Sequence, residues 1–298
     1  RGKNAVDFIF VRTNCKPMNA SAHQDENAAR LQSLLFVPGS RPDRFAKALA
    51  SGADIVCIDL EDAVPAEGKD AARAAAIAAV AADRTGRLAL RINGVATRAG
   101  LADLLALAES GTTPPLLLPK VESAAEVVIV RAALGRAGRY LVPLIETPRG
   151  LRATHAIAAA DGVAAMMFGG GDLSAELGVE LAWEPLAAAR GQFLIGCAEA
   201  GVRTIDVPFV HLADEPGLED ETRRAKAAGF TAKAAIHPDQ ITTIHRVMRP
   251  TAQEIEDARG AIEAFAAAGG GAVRFKGRLL EAPVMRRYHQ ILTNGENQ

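Results

Sequence analysis

The sequence lacks the features that mark several large classes of protein. No apolar run approaches the roughly 18 residues of a membrane-spanning helix. With 34 basic against 35 acidic side chains, the net charge of −1 gives no reason to expect nucleic acid or an acidic membrane as a partner. The three cysteines, Cys15, Cys57 and Cys197, are widely spaced and fit no metal-ligand pattern. The cysteine pattern predicts a protein of the reducing cytoplasm. The charge balance predicts no nucleic-acid partner and no membrane partner.

The sequence also lacks the glycine-rich turn of the dinucleotide-binding folds. The segment after the first apolar run reads PGSRPDR, which does not have the GxGxxG spacing. What is present is a regular alternation, in which apolar runs too short for a typical helix are separated by alanine-rich segments with helical periodicity. The predicted strands are Ser33–Pro38, Asp54–Asp59, Arg87–Ile92, Leu116–Pro119, Tyr140–Ile145, Val163–Phe168, Val202–Val207 and Phe230–Ile236.

The alternation predicts the fold. The segments between the strands are predicted as helices, and eight strands alternating with helices over ~200–250 residues are typical of an α/β fold, the (β/α)8 or TIM barrel. An open, doubly wound sheet would usually carry fewer strands. The predicted helices are Asp43–Ala50, Glu67–Ala82, Leu101–Ser110, Ala124–Leu134, Leu151–Ala160, Glu184–Ala200 and Glu215–Ala228, followed by Pro238–Met248 and Thr251–Ala268.

Composition divides the chain into three parts. Residues 1–30 are unlike the rest and are predicted to be a disordered or non-native tail, with Met18 a candidate for the biological start. Residues 31–268 form the predicted barrel domain. Three glycines at 269–271 then precede a C-terminal extension, 269–298, that is too apolar to be a free solvated end. We expect this extension to pack either on its own barrel or on a neighbouring subunit.

Two carboxylates end neighbouring predicted strands. Glu146 follows Tyr140–Ile145, and Asp172 follows Val163–Phe168 just after three glycines. Because the carboxyl ends of parallel strands share one face, these acids would repel each other unless a cation lay between them. Mg²⁺ is the natural candidate, since it commonly makes do with one or two carboxylates plus water and substrate. The alternative is that each acid caps the helix that follows it.

Other polar side chains follow the predicted strands at the same face, where barrel enzymes place their chemistry. They are Asp59, Glu61, Asp62, Arg91, Asn93, Lys120, Glu122, Asp206 and His237. Arg91 could neutralise an acid or bind an anionic substrate. Lys120 could form a Schiff base or pair with Glu122. His237 could contact substrate or simply begin a helix. Glu61 and Asp62 could bind the waters of the metal.

A set of motifs makes the prediction more specific. The segments SLLFVPGSRPDRF, DIVCIDLEDAVPAEGKDAAR, LRING, LPKVES, LIETPRGL, FGGGDLS, GFTAKAAIHPDQI and GRLLEAPV occur in this order. Together they resemble the citrate lyase β-subunit/malyl-CoA lyase family of the HpcH/HpaI aldolase superfamily, from about Leu31 to about Leu292. The resemblance implies an Mg²⁺-dependent barrel that cleaves a carbon–carbon bond in a hydroxyacyl thioester by a retro-Claisen step.

The resemblance also implies residue roles and an assembly. Glu146 and Asp172 match the family's metal ligands, Arg91 its substrate-binding arginine, and Ile236 with His237 the motif that lines the thioester site. Family members are homotrimers or larger, and the C-terminal segment of one subunit covers the neighbour's site. There the family usually has a catalytic aspartate, whereas this chain has Glu281. The implied mechanism has Glu281 remove the hydroxyl proton and Arg91 stabilise the resulting enolate.

A second departure from the family concerns coenzyme A. Many members have arginine where this chain has Gln32, and that arginine often helps to hold the CoA phosphates; Arg30 or Arg41 could substitute. The implied activity is cleavage of citryl-, malyl- or citramalyl-CoA to a 2-oxo acid and an acyl-CoA. Three alternatives remain: a non-catalytic subunit that binds an acyl carrier, a malyl-CoA thioesterase or malate synthase, and a CoA-independent hydroxy-oxo-acid aldolase.

Overall fold

The computed structural model describes residues 31–135 and 140–296, and it confirms the predicted fold class. Eight parallel strands form a closed barrel in chain order, and the barrel closes where β8 pairs with β1, with Ser33 opposite Lys233. The predicted tail 1–30 lies outside the described residues. The strands are β1 Ser33–Pro38, β2 Ile55–Asp59, β3 Leu88–Arg91, β4 Leu116–Leu118, β5 Leu141–Ile145, β6 Ala165–Phe168, β7 Arg203–Asp206 and β8 Ala232–Ala235.

Helices connect the strands and surround the barrel, as the periodicity predicts. Several have the local signals that begin or end helices, such as the capping box formed by Ser123 and Glu126 and the left-handed glycine after Ser110. The helices are α1 Phe45–Ala50, α2 Lys69–Ala82, α3 Arg98–Ser110, α4 Ala124–Leu134, α5 Pro148–Arg152, α6 Thr154–Ala158, α7 Gly170–Leu177, α8 Trp183–Ala200, α9 Glu215–Ala228, α10 Gln240–Met248, α11 Ala252–Ala267 and α12 Ala282–Glu296.

Side chains alternate between two apolar layers. Inward-facing residues such as Cys57, Leu117 and Met167 form a core inside the barrel, where alanines from β3, β6 and β8 leave room for the larger side chains. Residues that point outward, such as Val56 and Phe168, pack against the helices in a larger core. Burial on both faces explains why the strands read as continuous apolar runs.

One predicted helix is interrupted. The segment predicted as Leu151–Ala160 contains α5 and α6, which are separated at Ala153 with φ −94° and ψ 2°. The hydroxyl of Thr154 donates to the carbonyl of Leu151 at 2.8 Å. A hydroxyl bonded to the preceding turn competes with the main-chain ladder and bends helices. Periodicity does not register this local competition.

The C-terminal extension contains a small hairpin and α12. The hairpin strands are β9 Val273–Phe275 and β10 Arg278–Leu280. They are joined by Lys276 and Gly277, both with positive φ, as a tight hairpin turn requires. The extension packs on α11 of its own chain through Leu280 and Met285. The expected contact with a neighbouring subunit stays a prediction.

Two predictions from composition can be compared with the described residues. Within residues 31–135 and 140–296, no helix combines the length and the apolar character needed to cross a bilayer. Cys57 and Cys197 are buried free thiols, and burial raises the pKa of each. A buried, protonated thiol is unreactive. The cytoplasmic location stays a prediction.

Candidate active site

A cavity of about 330 Å³ opens at the carboxyl ends of the barrel strands. This is the face where barrel enzymes carry their catalytic residues. Its wall is divided into an acidic side and an apolar side. The acidic side contains Asp59, Asp62, Glu146 and Asp172 with Arg91 beside them, and the apolar side contains Phe36, Leu144, Met167, Leu181, Val207, Val210 and Ile236. Five of the polar residues that the sequence places after strands, namely these four acids and Arg91, therefore line one cavity.

Glu146 lies at the end of β5 and is buried, with 5% of its surface exposed. Its Oε2 accepts a hydrogen bond from the main-chain N–H of Lys120 at 2.7 Å. Gly169, which follows β6, lies directly against it: a Cβ there would fall 2.9 Å from Oε1 of Glu146. Only glycine at position 169 leaves room for the carboxylate of Glu146.

Asp172 lies in the first turn of α7 and reaches the same cavity. Neither it nor Glu146 is a helix cap. The cap of α5 is Thr147, whose hydroxyl accepts from the N–H of Gly150, and the cap of α7 is Gly169. The capping alternative is therefore wrong for both acids, and their carboxylates are available for other interactions.

Lys120 connects the acids on the two sides of the cavity. Its Nζ lies 3.0 Å from Oε1 of Glu61, 3.1 Å from Oδ2 of Asp172 and 3.6 Å from Oδ2 of Asp62. The expected pair with Glu122 is wrong, because Glu122 accepts a hydrogen bond from the hydroxyl of Thr147 instead.

The charge state of Lys120 bears on its proposed chemistry. Burial alone would lower its pKa, but the bonds to Glu61 and Asp172 outweigh burial and raise it. A Schiff base requires a neutral amine, whereas these neighbours hold the ammonium form. Lys120 is therefore a counter-ion in this site.

Arg91, at the end of β3, is held by two carboxylates. Its Nε and Nη2 donate to the two oxygens of Asp59, each at 2.7 Å, and its Nη1 lies 3.1 Å from Oε2 of Glu61. Burial would lower the pKa of Arg91, but these acids raise it. Its guanidinium also lies over the ring of Phe36 and lines the cavity. Arg91 therefore neutralises acids, and because it also lines the cavity, its binding of an anionic substrate stays a prediction.

The acids outnumber the bases in this cluster. Burial, with Glu61 and Asp172 adding like charge, raises the pKa of Glu146 to about 8. Burial likewise raises the pKa of Glu61, whose Oε2 has no hydrogen-bond partner. With all ionised, five carboxylates (Asp59, Glu61, Asp62, Glu146 and Asp172) face two cations (Arg91 and Lys120), an excess of three negative charges. Such a cluster favours an additional cation.

The donor set fits a hard divalent cation. In the described ranges, no three His, Cys, Asp or Glu side chains converge closely enough to hold a metal unaided. Glu146 and Asp172 offer two carboxylates beside open cavity space, which is the arrangement that Mg²⁺ accepts when water and substrate complete its shell. Among the described residues that line the cavity there is no cysteine or histidine, the usual ligands of Zn²⁺, which argues against that metal.

A second cavity of about 270 Å³ lies beside the first. It is lined by Arg44 and Lys47 and by the segment Ile236–Pro238, and Ile236 lines both cavities. Gln240 fixes this segment, because its side-chain oxygen accepts the N–H groups of Ile236 and His237. The structure therefore places Ile236 and His237 beside a basic pocket at the barrel mouth.

Several residues of the sequence analysis do not line the first cavity, among them Asp206, Gln32 and Glu281. Asp206 points away from the mouth into the layer between strands and helices, where it pairs with Arg190 at 2.9 Å and Lys233 at 2.8 Å. Gln32 precedes β1 and is buried at the opposite end of the barrel, so its identity does not bear on ligands at the mouth. Glu281 is exposed between β10 and α12 and does not line the cavity of its own chain. Arg30 lies outside the described residues.

Sequence reasoning missed two contributions to the site. The main-chain N–H of Lys120 reaches Glu146 because Lys120 has a φ of 53°, which is uncommon for a residue with a side chain. Gly169 makes room for Glu146, and the glycine run was the only sequence signal of that contact.

Comparisons with known proteins agree with this geometry. Residues 32–238 match the family HpcH/HpaI aldolase/citrate lyase, and residues 183–294 match the C–C bond lyases of the TIM-barrel fold. The L-malyl-CoA/β-methylmalyl-CoA lyase of Cereibacter sphaeroides is 32% identical over 297 residues, which cover 88% of this chain and 93% of that protein.

Two solved structures are also similar. RipC from Yersinia pestis is 44% identical with a TM-score of 0.68, and the match covers 76% of this chain and 99% of that one. CitE from Mycobacterium tuberculosis, in complex with magnesium, acetoacetate and coenzyme A, is 34% identical with a TM-score of 0.78, covering 90% of this chain and 99% of that one. The chain therefore belongs to the HpcH/HpaI aldolase/citrate lyase family, whose members are carbon–carbon lyases on a TIM barrel.

Proposed function

We propose that this protein is an Mg²⁺-dependent lyase that cleaves a hydroxyacyl-CoA thioester into a 2-oxo acid and an acyl-CoA. The observation that carries the proposal is the pairing of Glu146 and Asp172 in one cavity with Arg91. Magnesium in the similar CitE structure supports the same metal here, with Glu146 and Asp172 as its protein ligands. When bound, Mg²⁺ acts as a Lewis acid that lowers the pKa of the substrate hydroxyl and orients it with the free carboxylate.

Arg91 is the residue proposed to bind the thioester carbonyl and stabilise the enolate. A guanidinium carries five N–H groups, and Asp59 with Glu61 leaves part of that set for a ligand. Because those two acids fix the guanidinium plane, the remaining donors are already oriented before the charge develops on the enolate oxygen. Preorganised donors of this kind stabilise transition states effectively.

The base requires a second copy of the chain. Glu281 is exposed and does not line the cavity of its own chain, so we assign it to the site of a neighbouring subunit in a homotrimer or larger assembly. There it takes the proton of the hydroxyl. The C–O bond becomes a carbonyl, the adjacent carbon–carbon bond breaks, and its electron pair forms the enolate of the acyl thioester. Protonation at carbon then gives the acyl-CoA. In this arrangement residues 31–268 form the catalytic barrel and residues 269–298 the cover.

The second cavity supports coenzyme A as the carrier. Arg44, Lys47 and His237 line it beside the apolar Leu35, Val37 and Ile236. Cations such as Arg44 and Lys47 bind phosphate groups, while apolar walls suit the pantetheine arm. Ile236 lies between the two cavities, which is where the thioester of such a ligand would pass.

The test is a panel of citryl-, malyl- and citramalyl-CoA with Mg²⁺ or EDTA, in which 2-oxo acid and free CoA are measured separately. We expect 2-oxo acid with Mg²⁺, none with EDTA, and a loss of at least about 100-fold in Glu146→Gln and Asp172→Asn. Glu122→Gln is the matched control, because that carboxylate bonds to Thr147 outside the cavity lining. Turnover by Glu146→Gln equal to that control would refute the assignment.

The same panel separates the alternatives. Free CoA together with intact hydroxy acid would indicate a thioesterase. The free hydroxy acids are added to the panel, and 2-oxo acid formed only from them would indicate a CoA-independent aldolase. No product from any thioester, together with copurification of an acyl carrier or other subunits, would indicate a non-catalytic component. Each of these three results excludes the proposed lyase.

A further inference from the structure

We infer that the cavity selects a hydroxyacyl thioester with one free carboxylate and a small apolar group on the carbinol carbon, and rejects one with a second carboxylate. This inference deepens the proposed function and rests on it. It comes from the balance of charge in the cavity and from the apolar wall beside Glu146 and Asp172.

The cations of the site are already bound to protein carboxylates. Among the described residues that line the first cavity, Arg91 is the only basic one, and Asp59 and Glu61 hold three of its nitrogens. Lys120, just behind the lining, is shared by Glu61, Asp62 and Asp172. Five acids against these two cations and one Mg²⁺ still leave one excess negative charge. A second substrate carboxylate would therefore enter a negative field without a partner.

The basic residues of the second cavity do not change this balance. Arg44 and Lys47 share that cavity with Leu35 and Val37, which belong to the outer apolar layer. They therefore lie on the helix side of β1, whereas Glu146 and Asp172 face the other cavity. In the proposed function their charges are matched by coenzyme A phosphates.

The wall next to the metal carboxylates is apolar. Leu144 precedes Glu146 by two residues in β5, and Met167 precedes Gly169 by two in β6, so side-chain alternation puts both on the cavity side. They are 1% and 3% exposed, and Val207 beside them is 5% exposed. In the proposed function Glu146 and Asp172 would hold the metal that binds the substrate hydroxyl and carboxylate, so a group on the carbinol carbon would face this apolar wall. A methyl group gains contact there, whereas a carboxymethyl group loses its hydration.

A matched series of substrates tests the inference, because malyl-, citramalyl- and citryl-CoA differ at the carbinol carbon by H, CH₃ and CH₂COO⁻. We expect kcat/KM to follow citramalyl > malyl > citryl, with at least about 100-fold between the first and the last, as for other unpaired buried groups. Dissociation constants provide a readout independent of turnover: in the presence of Mg²⁺, pyruvate is expected to bind more tightly than oxaloacetate.

A variant tests the cause of the discrimination. Val210 lines the cavity at its rim and is 43% exposed, so that a longer side chain can be accommodated there. Val210→Arg adds the missing cation, and Val210→Gln adds length without charge. We expect the first to raise the citryl/citramalyl ratio at least about tenfold and the second to leave it unchanged.

The outcomes separate this inference from the proposed function. Equal or faster cleavage of citryl-CoA, or an unchanged ratio in Val210→Arg, would overturn the selectivity argument while the lyase assignment stands. If no thioester in the series yields a 2-oxo acid, the proposed function itself fails.

Discussion

The main-chain N–H of Lys120 donates to Oε2 of Glu146 at 2.7 Å from a residue whose φ is 53°. This left-handed conformation lets one residue act at two places in the site. Its amide reaches the end of β5, while its ammonium reaches Glu61 and Asp172. Strained backbone of this kind costs about 1–3 kcal/mol and is typically kept at functional sites.

Two variants of Lys120 separate the amide from the ammonium. Lys120→Gly removes the ammonium but tolerates the positive φ, whereas Lys120→Ala removes the ammonium and keeps the strain. We expect Lys120→Ala to be about 1 kcal/mol less stable than Lys120→Gly and to bind Mn²⁺ at least about tenfold more weakly. Without the ammonium bonds that hold Lys120 in this conformation, its backbone would relieve the strain by moving the amide away from Glu146. Urea denaturation and Mn²⁺ titration by electron paramagnetic resonance measure these differences. Equal Mn²⁺ affinity in the two variants would refute a role for the amide.

Gly169 offers a second test of how Glu146 is held. A methyl group at 169 would overlap the Glu146 side chain, so we expect Gly169→Ala to displace the carboxylate and weaken metal binding by about 10- to 100-fold. Gly171→Ala is the matched control two residues away, since its Cβ would meet nothing within 4 Å. Calorimetric titration with Mg²⁺ compares the two. If Gly171→Ala lowers the metal affinity as much as Gly169→Ala does, the effect comes from a general disturbance of the α7 segment and not from the contact between residue 169 and Glu146.

The position of Glu146 at the end of a barrel strand could be predicted from sequence. The contacts with Gly169 and Lys120 that hold its side chain could not. Buried parallel strands leave a clear pattern, and Glu146 and Asp172 follow two of them, so their meeting at one end of the barrel follows from topology. The contact with Gly169 and the conformation of Lys120 depend on how three separate loops approach each other. Single-residue propensities carry no information about such approaches.

Asp206 illustrates the opposite case. It ends β7 and, by position alone, belongs with the polar residues of the mouth. Its direction is decided by side-chain alternation and by Arg190 in the preceding helix and Lys233 in the following strand. Partners 16 and 27 residues away cannot be identified from the local pattern.

The pKa of Glu146 predicts a pH dependence for metal binding. A carboxyl group with a pKa of about 8 is largely protonated at neutral pH, and it must lose that proton to bind a cation. Below pH 8 we expect metal affinity to rise by up to about tenfold per pH unit with release of one proton, and to level off above pH 8. Calorimetry in buffers of different ionisation enthalpy measures the proton count. Glu146→Gln should release none.

The same shift affects the stability of the metal-free protein. Because the folded-state pKa lies above the ordinary value of 4.5, the stabilising contribution of protonated Glu146 is complete below about pH 4.5 and is lost as the pH rises through about 8. We expect the metal-free protein to lose stability over this range, and Glu146→Gln to lose less. A steeper loss in the variant than in the parent would contradict the assigned pKa.

The buried pairs of Asp206 predict a large stability effect away from the cavity. Arg190 and Lys233 are almost fully buried, and Asp206 bonds to both. Asp206→Asn removes the carboxylate that Arg190 binds and leaves Lys233 with that of Glu221, so we expect a loss of about 3–5 kcal/mol in urea denaturation. Asp43→Asn removes an exposed pair with Arg41, and we expect it to leave the urea midpoint nearly unchanged. Equal losses of stability in Asp206→Asn and Asp43→Asn would show that burial of an ion pair does not determine the cost of breaking it.

The assignment of Glu281 to a neighbouring subunit predicts complementation between two inactive variants. Glu281→Gln lacks the proposed base and Glu146→Gln lacks a proposed metal ligand, so each alone should be inactive. In mixed oligomers some sites combine an intact barrel with an intact Glu281 from the next chain, and random 1:1 mixing in a ring gives about a quarter of such sites. We expect activity to appear after the two variants are unfolded and refolded together, but not when each is refolded separately. If each cavity used the Glu281 of its own chain, no mixed oligomer would contain a complete site and the refolded mixture would stay inactive.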